Sequence, residues 1–168
     1  MPELLLKERL QPSLLDRLTD DRPQDKRESR DARVLTVPQL RASVLRDLCW
    51  LLNCEAIGNL TDLTEVPEVA TSVLNYGIPS LSGAVVSRVS PTDLERQIEL
   101  AIRRYEPRIL SETLKIRVAA SSSPTAGENA LTIQIEGLLW AQPLPQRLFL
   151  RTEVDLDTGH VAVIENPE

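Results

Sequence analysis

LTIQIE, residues 131–136, decides the fold: Leu131, Ile133 and Ile135 alternate with Thr132, Gln134 and Glu136, a period of two that belongs to a strand with one buried and one wet face. The same alternation flanks it. Upstream, LKIRV (114–118) sets Leu114, Ile116 and Val118 against Lys115 and Arg117. Downstream, LFLRTEVDL (148–156) sets Leu148, Leu150, Thr152, Val154 and Leu156 against Arg151, Glu153 and Asp155, and a short fourth run carries Val161 and Val163. SSSPTAGEN (121–129) and DTGH (157–160) supply turn residues for the first and last connections, while Pro143 and Pro145 interrupt the middle one. Such a chain makes an antiparallel meander, and its apolar face needs helices to cover it. The expected class is α+β, with helices packed on one face of a small three- to four-stranded antiparallel sheet.

The helices precede the sheet. From Pro38, Leu40, Val44, Leu45, Leu48, Leu51 and Leu52 recur at three and four, with Arg41, Arg46 and Asp47 on the remaining face, and Asn53 or the Gly58 region marks the end. Residues 59–83 combine a short helical turn from Pro67 with a loop marked by Gly77, Pro79 and Gly83. That loop carries Tyr76, one of only two tyrosines, and reads as a shaped contact surface. Ser90-Pro91-Thr92-Asp93 starts a second long helix: a serine N-cap, a proline in the first turn and an acid each relieve the free amides, although Asp93 makes an imperfect capping box. Leu94, Ile98, Ala101, Ile102 and Tyr105 form its stripe, Glu99 and Arg103 an i,i+4 pair, and Pro107 opposes helix at Glu106.

Ahead of this body lies a different kind of sequence. Seven leucines between Leu4 and Leu18 surround Pro12, and from Asp16 to Arg33 charges fill 12 of 18 positions, too few apolar groups to offset the entropy of ordering. Residues 1–35 therefore read as a mobile amphipathic arm and charged linker, and 36–168 as one domain. The arm holds eight basic and eight acidic residues against 11 and 17 in the rest, so the net charge of −6 lies on the domain. The leucine patch is either a docking peptide for a partner groove or a helix that packs back on its own domain.

Composition excludes several functions. The 168 residues include only 3% aromatics, so the core is aliphatic and no stacking platform for single-stranded nucleic acid is expected. Net acidity argues against duplex binding as well. No apolar run approaches the roughly 20 residues needed to cross a bilayer, and MPELLLKERL carries charges inside any signal core. A cytoplasmic protein without membrane insertion is expected. Cys49 and Cys54, about 140° apart round a helix, read as reduced packing residues. A lone histidine, His160, reads as a turn residue, and neither GxGxxG nor GxxxxGK[ST] occurs, so no metal or nucleotide cofactor is expected. Glu106, Glu136 and Glu153 lie where paired carboxylates could hydrolyse a glycoside, but 17 acids guarantee chance pairs.

One local constellation stands out. Glu106-Pro107-Arg108 joins the long helix to the sheet, and proline rigidity holds acid and base in fixed directions, able to pair with each other or with a partner's charges. The bland alternative is an ordinary helix stop, and the discriminating observation is whether Arg108 is buried without an internal carboxylate. The sheet's two edges offer unpaired backbone groups that a fold must cover, blunt or use by accepting a strand.

PSLLDRLTDD (12–21), ESRDARVLTVPQLRASVLRDLCWLLN (28–53), SVLNYGIPSLSG (72–83) and YEPR (105–108), in that order, resemble the TssE family, the gp25-like baseplate subunits of bacterial type VI secretion systems. The resemblance implies a non-enzymatic part of a contractile injection machine, whose old lysozyme-like label carries no activity; a small peptidoglycan hydrolase is the alternative. It implies that Glu106, Pro107 and Arg108 meet the wedge proteins TssF and TssG, that the sheet joins the sheath proteins TssB and TssC by strand exchange and starts sheath polymerisation, and that the arm up to about Arg33 orders against the wedge. Asn75, Tyr76 and Gly77 are candidate contact residues of the loop. Many relatives carry an acid after the NYG-x-P turn, where this chain has Ser80.

Overall fold

The computed structural model describes residues 13–19, 24, 35–121, 129–141 and 144–165. Among the described residues four α-helices, α1 (Leu14–Leu18), α2 (Val37–Leu52), α3 (Pro67–Thr71) and α4 (Pro91–Tyr105), precede four strands, β1 (Lys115–Ala120), β2 (Ala130–Leu139), β3 (Gln146–Asp155) and β4 (Val161–Glu165). The strands form one antiparallel sheet in the order β1-β2-β3-β4, so the expected α+β meander stands, with four strands.

Register turns the alternation into a core. Val118 faces Ile133, which faces Thr152, while Leu131 faces Val154 and Val154 faces Val161; Leu131, Ile133, Ile135, Leu150 and Val154 are at most 2% exposed. Thr152 is the one hydroxyl on these rungs, and it donates to the Ile133 carbonyl at 3.2 Å, which removes the cost of burying it. Val44, Leu48, Leu51 and Leu52 of α2 and Leu94, Ile98 and Ile102 of α4 close the core from the other side.

Local chemistry sets the helix ends. Thr36 caps α2 in a reciprocal box with Gln39, the Gln39 side chain accepting from Thr36 N at 2.9 Å, so the helix begins at Val37, one residue before the Pro38 that periodicity marks. Asn53 ends α2, Ser90 caps α4, and Arg103 pairs with Glu99 at 2.6 Å. Both cysteines are free.

Most of the expected arm lies outside the described residues. Within them, Ser13 caps α1, which has no buried residue and leaves Leu14 and Leu18 more than 70% exposed. Charge holds it to the domain: Asp16 reaches Arg46 of α2 at 2.5 Å. Arg46 holds the Asp16 carboxyl below its ordinary value against the opposing effect of desolvation.

Candidate functional site

Helix α4 stops where proline demands it. Glu106 N closes the last turn on Ile102 O at 2.8 Å, and Glu106 then leaves the helical region at φ −125°. The next residues are sewn to the end of β2: Trp140 N donates to Arg108 O at 2.7 Å and Leu110 N to Leu138 O at 2.8 Å. The corner is therefore fixed by backbone before any side chain acts.

Its acid and base face inward. Glu106 is 2% exposed; its Oε1 accepts from Arg108 Nε at 2.6 Å and from Arg108 N at 3.2 Å, and its Oε2 accepts from Nη2. Two α2 residues complete the clamp: Asp47 accepts from Arg108 Nη2, and Ser43 Oγ accepts from Nη1 at 3.1 Å. Burial opposes the Arg108 charge, but Glu106 and then Asp47 outweigh it and raise the guanidinium above its ordinary value. Of the two pairings open to this bend, the internal one is realised, and of its three residues only Pro107 is exposed. The chain of alternating charge continues outward, because Asp47 Oδ1 also accepts from Arg46 at 2.8 Å, and Arg46 reaches Asp16 and lies 5.1 Å from the Trp50 ring centroid.

The 72–83 loop meets the same place. Tyr76 packs edge-on to Tyr105 at 5.1 Å and donates to the backbone carbonyl of Asp47 at 3.3 Å. Tyr105 shares its hydroxyl hydrogen between the carbonyls of Ser72 and Asn75, each at 2.8 Å. Asn75 accepts from Gly58 N at 2.9 Å and donates to Ala70 O at 3.0 Å. Gly77 has φ +132°, and a Cβ there would lie 2.7 Å from the Cys54 carbonyl carbon and 2.8 Å from Ala56 N, so only glycine fits this position. Asn75, Tyr76 and Gly77 thus lock the loop inward; what the loop shows outside is Val73 and Leu74, 78% and 67% exposed.

Asp47 and Ser43 were not singled out in the sequence. In the sequence Asp47 lies only on the remaining face of α2 with Arg41 and Arg46; only the fold shows that α4 delivers Arg108 against it, and no local signal marks a partner 61 residues away. Of the three candidate glutamates, Glu106 is clamped by Arg108, while Glu136 lies opposite Phe149 and Glu153 opposite Thr132. Four rungs separate the last two, about 13 Å along the strands, beyond the roughly 5–9.5 Å of a glycosidase pair.

The sheet margins differ. Ser121 N donates to Ala130 O, so by the two-residue repeat of the ladder Ile116, Val118 and Ala120 turn their backbone groups away from β2. Val118 N already donates to Glu95 of α4 at 2.8 Å. At the other margin, Asp155 N donates to His160 O, so Val161, Val163 and Glu165 face away from β3. Asn53 occupies the first of these: its Oδ1 accepts from Val161 N and its Nδ2 donates to Val161 O, both at 2.9 Å. His160 Nδ1 sits 3.1 Å from the same Oδ1. Past Val161, no described group meets the outward backbone of Val163.

Among the described residues no helix is long and apolar enough to cross a membrane. No curated protein and no solved structure matches the chain. The sequence model of one family, described as baseplate wedge protein gp25, matches residues 38–144, a span that runs from α2 through the loop and the clamped corner to the end of β2. With about two-thirds of its length inside that match, including Asp47, the Asn75-Tyr76-Gly77 turn and Glu106-Pro107-Arg108, the chain belongs to the baseplate wedge protein gp25 family.

Proposed function

We propose that the protein is a non-enzymatic structural adaptor in the cytoplasmic baseplate of a type VI secretion machine, linking the wedge proteins TssF and TssG to the first ring of the sheath proteins TssB and TssC. Family membership supports a baseplate role and contact with other baseplate components; the partner names come from the resemblance of the motif set. The observation that carries the strand-pairing part is the outward backbone of Val163 on β4, which no described group meets, whereas on β1 the central outward N–H, that of Val118, is taken by Glu95. A sheath strand laid along 163–165 forms several backbone hydrogen bonds at once, each contributing roughly 0.5–1.5 kcal/mol net, and this sets the register of the first ring.

The Glu106-Pro107-Arg108 corner contributes shape in this reading. Its charges hold the bend on α2 and β2, Pro107 faces outward, and α1 presents Leu14 and Leu18 toward the wedge. The test is co-purification of the full chain with wedge and sheath subunits. Val163→Pro removes an outward N–H that β3 does not use, so sheath capture should disappear while wedge capture stays; because Val163 also packs against the core, a melting curve of the variant shows that the fold persists. Sheath capture by Val163→Pro equal to that of the parent sinks the proposal.

A further inference from the structure

We infer that the groove between α4 and the 56–79 loop is a separate docking site, which takes an extended acidic segment with an apolar anchor from a neighbouring baseplate component. The groove holds about 250 Å³ and is bordered by Gln97, Leu100 and Arg104 of α4 and by Gly58, Asn75 and Pro79 of the loop. It combines an apolar contact with a positioned cation. Leu100 is 54% exposed at its wall, and Val73 and Leu74 stand exposed on the loop that carries Asn75. Arg104 is fastened in place: Nη1 donates to Ala70 O at 2.6 Å and the guanidinium lies 5.9 Å from the Tyr105 ring centroid. Tyr105 is in turn pinned by Tyr76 and two loop carbonyls.

Arg103 is paired with Glu99, whereas among the described residues its neighbour Arg104 has no carboxylate of this chain at ion-pair distance, and the Arg104 guanidinium is held at the groove wall by Ala70 instead. A guanidinium has five N–H donors in a planar fork suited to a carboxylate, and the bond to Ala70 uses one. The surroundings choose the sign of the ligand: the domain carries 17 acids against 11 bases, so an acidic segment is repelled over most of the surface and finds a fixed, unmatched cation here. An apolar side chain beside that carboxylate fills the groove against Leu100, the arrangement of an anchor within a polar rim. This site rests on neither the corner nor the β4 margin.

The experiment uses the full ¹⁵N-labelled chain and three capped synthetic peptides: Leu-Glu-Leu-Leu-Glu, the same peptide with Gln for Glu, and the same with Lys for Glu. With the Glu peptide, the amides of Gly58, Leu100, Ala101 and Arg104 should shift, and binding should be at least about tenfold tighter than for the Gln peptide, the usual size of one charge-assisted contact. Arg104→Gln should remove that preference, Arg104→Lys should keep part of it and Arg103→Gln should keep all of it; thermal melts of each variant show that the fold persists. Equal binding of the Glu and Gln peptides, an unchanged preference in Arg104→Gln, or no shifts with millimolar peptide overturns the inference.

Discussion

Tyr76 and Arg108, on the loop and at the helix corner, are held by opposite ends of one residue: the Tyr76 hydroxyl donates to the backbone carbonyl of Asp47, and the Arg108 guanidinium to its carboxylate. Asp47 therefore joins three segments that the sequence keeps apart, the Asn75-Tyr76-Gly77 turn, the Glu106-Pro107-Arg108 bend and α2. The two motifs of the chain are parts of one fastening, and partner surfaces nearby depend on it for their shape.

Removing the arginine should cost more than removing either lone contact. Arg108→Ala leaves Glu106, whose side chain is 3% exposed, buried without a counter-charge, and we expect a loss of about 3 kcal/mol by urea unfolding. Asp47→Asn, which leaves the Glu106 pair in place, should cost about 1 kcal/mol. Equal stability of the parent and Arg108→Ala would show that the clamp is only geometric.

Alkali should unlock the loop. Burial, helped by Cys54, Asp47 and Glu106, pushes the Tyr76 phenol up to about 12 from an ordinary value of 10. The folded state binds this proton more tightly than the unfolded one, so the contribution is complete below pH 10 and is lost as pH rises through about 12. Ultraviolet titration of the folded protein should show one tyrosine ionising near that upper value, and Tyr76→Phe should flatten the alkaline fall in stability. An unaltered fall in Tyr76→Phe would assign it elsewhere.

Two glycines separate space from backbone conformation. Gly77→Ala meets both a forbidden φ of +132° and the backbone of Cys54 and Ala56, while Gly83→Ala, at φ +73°, meets open space. The first should destabilise by about 3 kcal/mol and the second by about 1 kcal/mol. Thermal melts of the two variants side by side check the order, and a reversal would mean that the 54–56 backbone yields easily.

Asn53 should protect the start of β4. Without its side chain, Asn53→Ala exposes Val161 N–H and C=O to solvent. Amide exchange at Val161 should quicken by about tenfold, matching a loss near 1.4 kcal/mol, with Ala162 unaffected because it pairs with Glu153. A uniform rise across the sheet would instead report global destabilisation.

Periodicity made most of the fold legible. The alternation of Leu131, Ile133 and Ile135, the stripe from Leu94 to Ile102 and the punctuation at Ser90, Asn53 and Pro107 are local patterns, and secondary structure answers to local patterns. The sequence also marked Glu106-Pro107-Arg108 and Asn75-Tyr76-Gly77 as special. Which way those residues face was decided by the tertiary structure alone. A charged residue on a helix, such as Asp47, reads the same whether it meets water or a guanidinium 61 residues on. Likewise, which outward backbone groups of β4 and β1 are taken follows from where Asn53 and Glu95 land once the helices dock. Pairing between distant polar groups leaves no period in the chain, and only packing brings such partners within hydrogen-bonding reach.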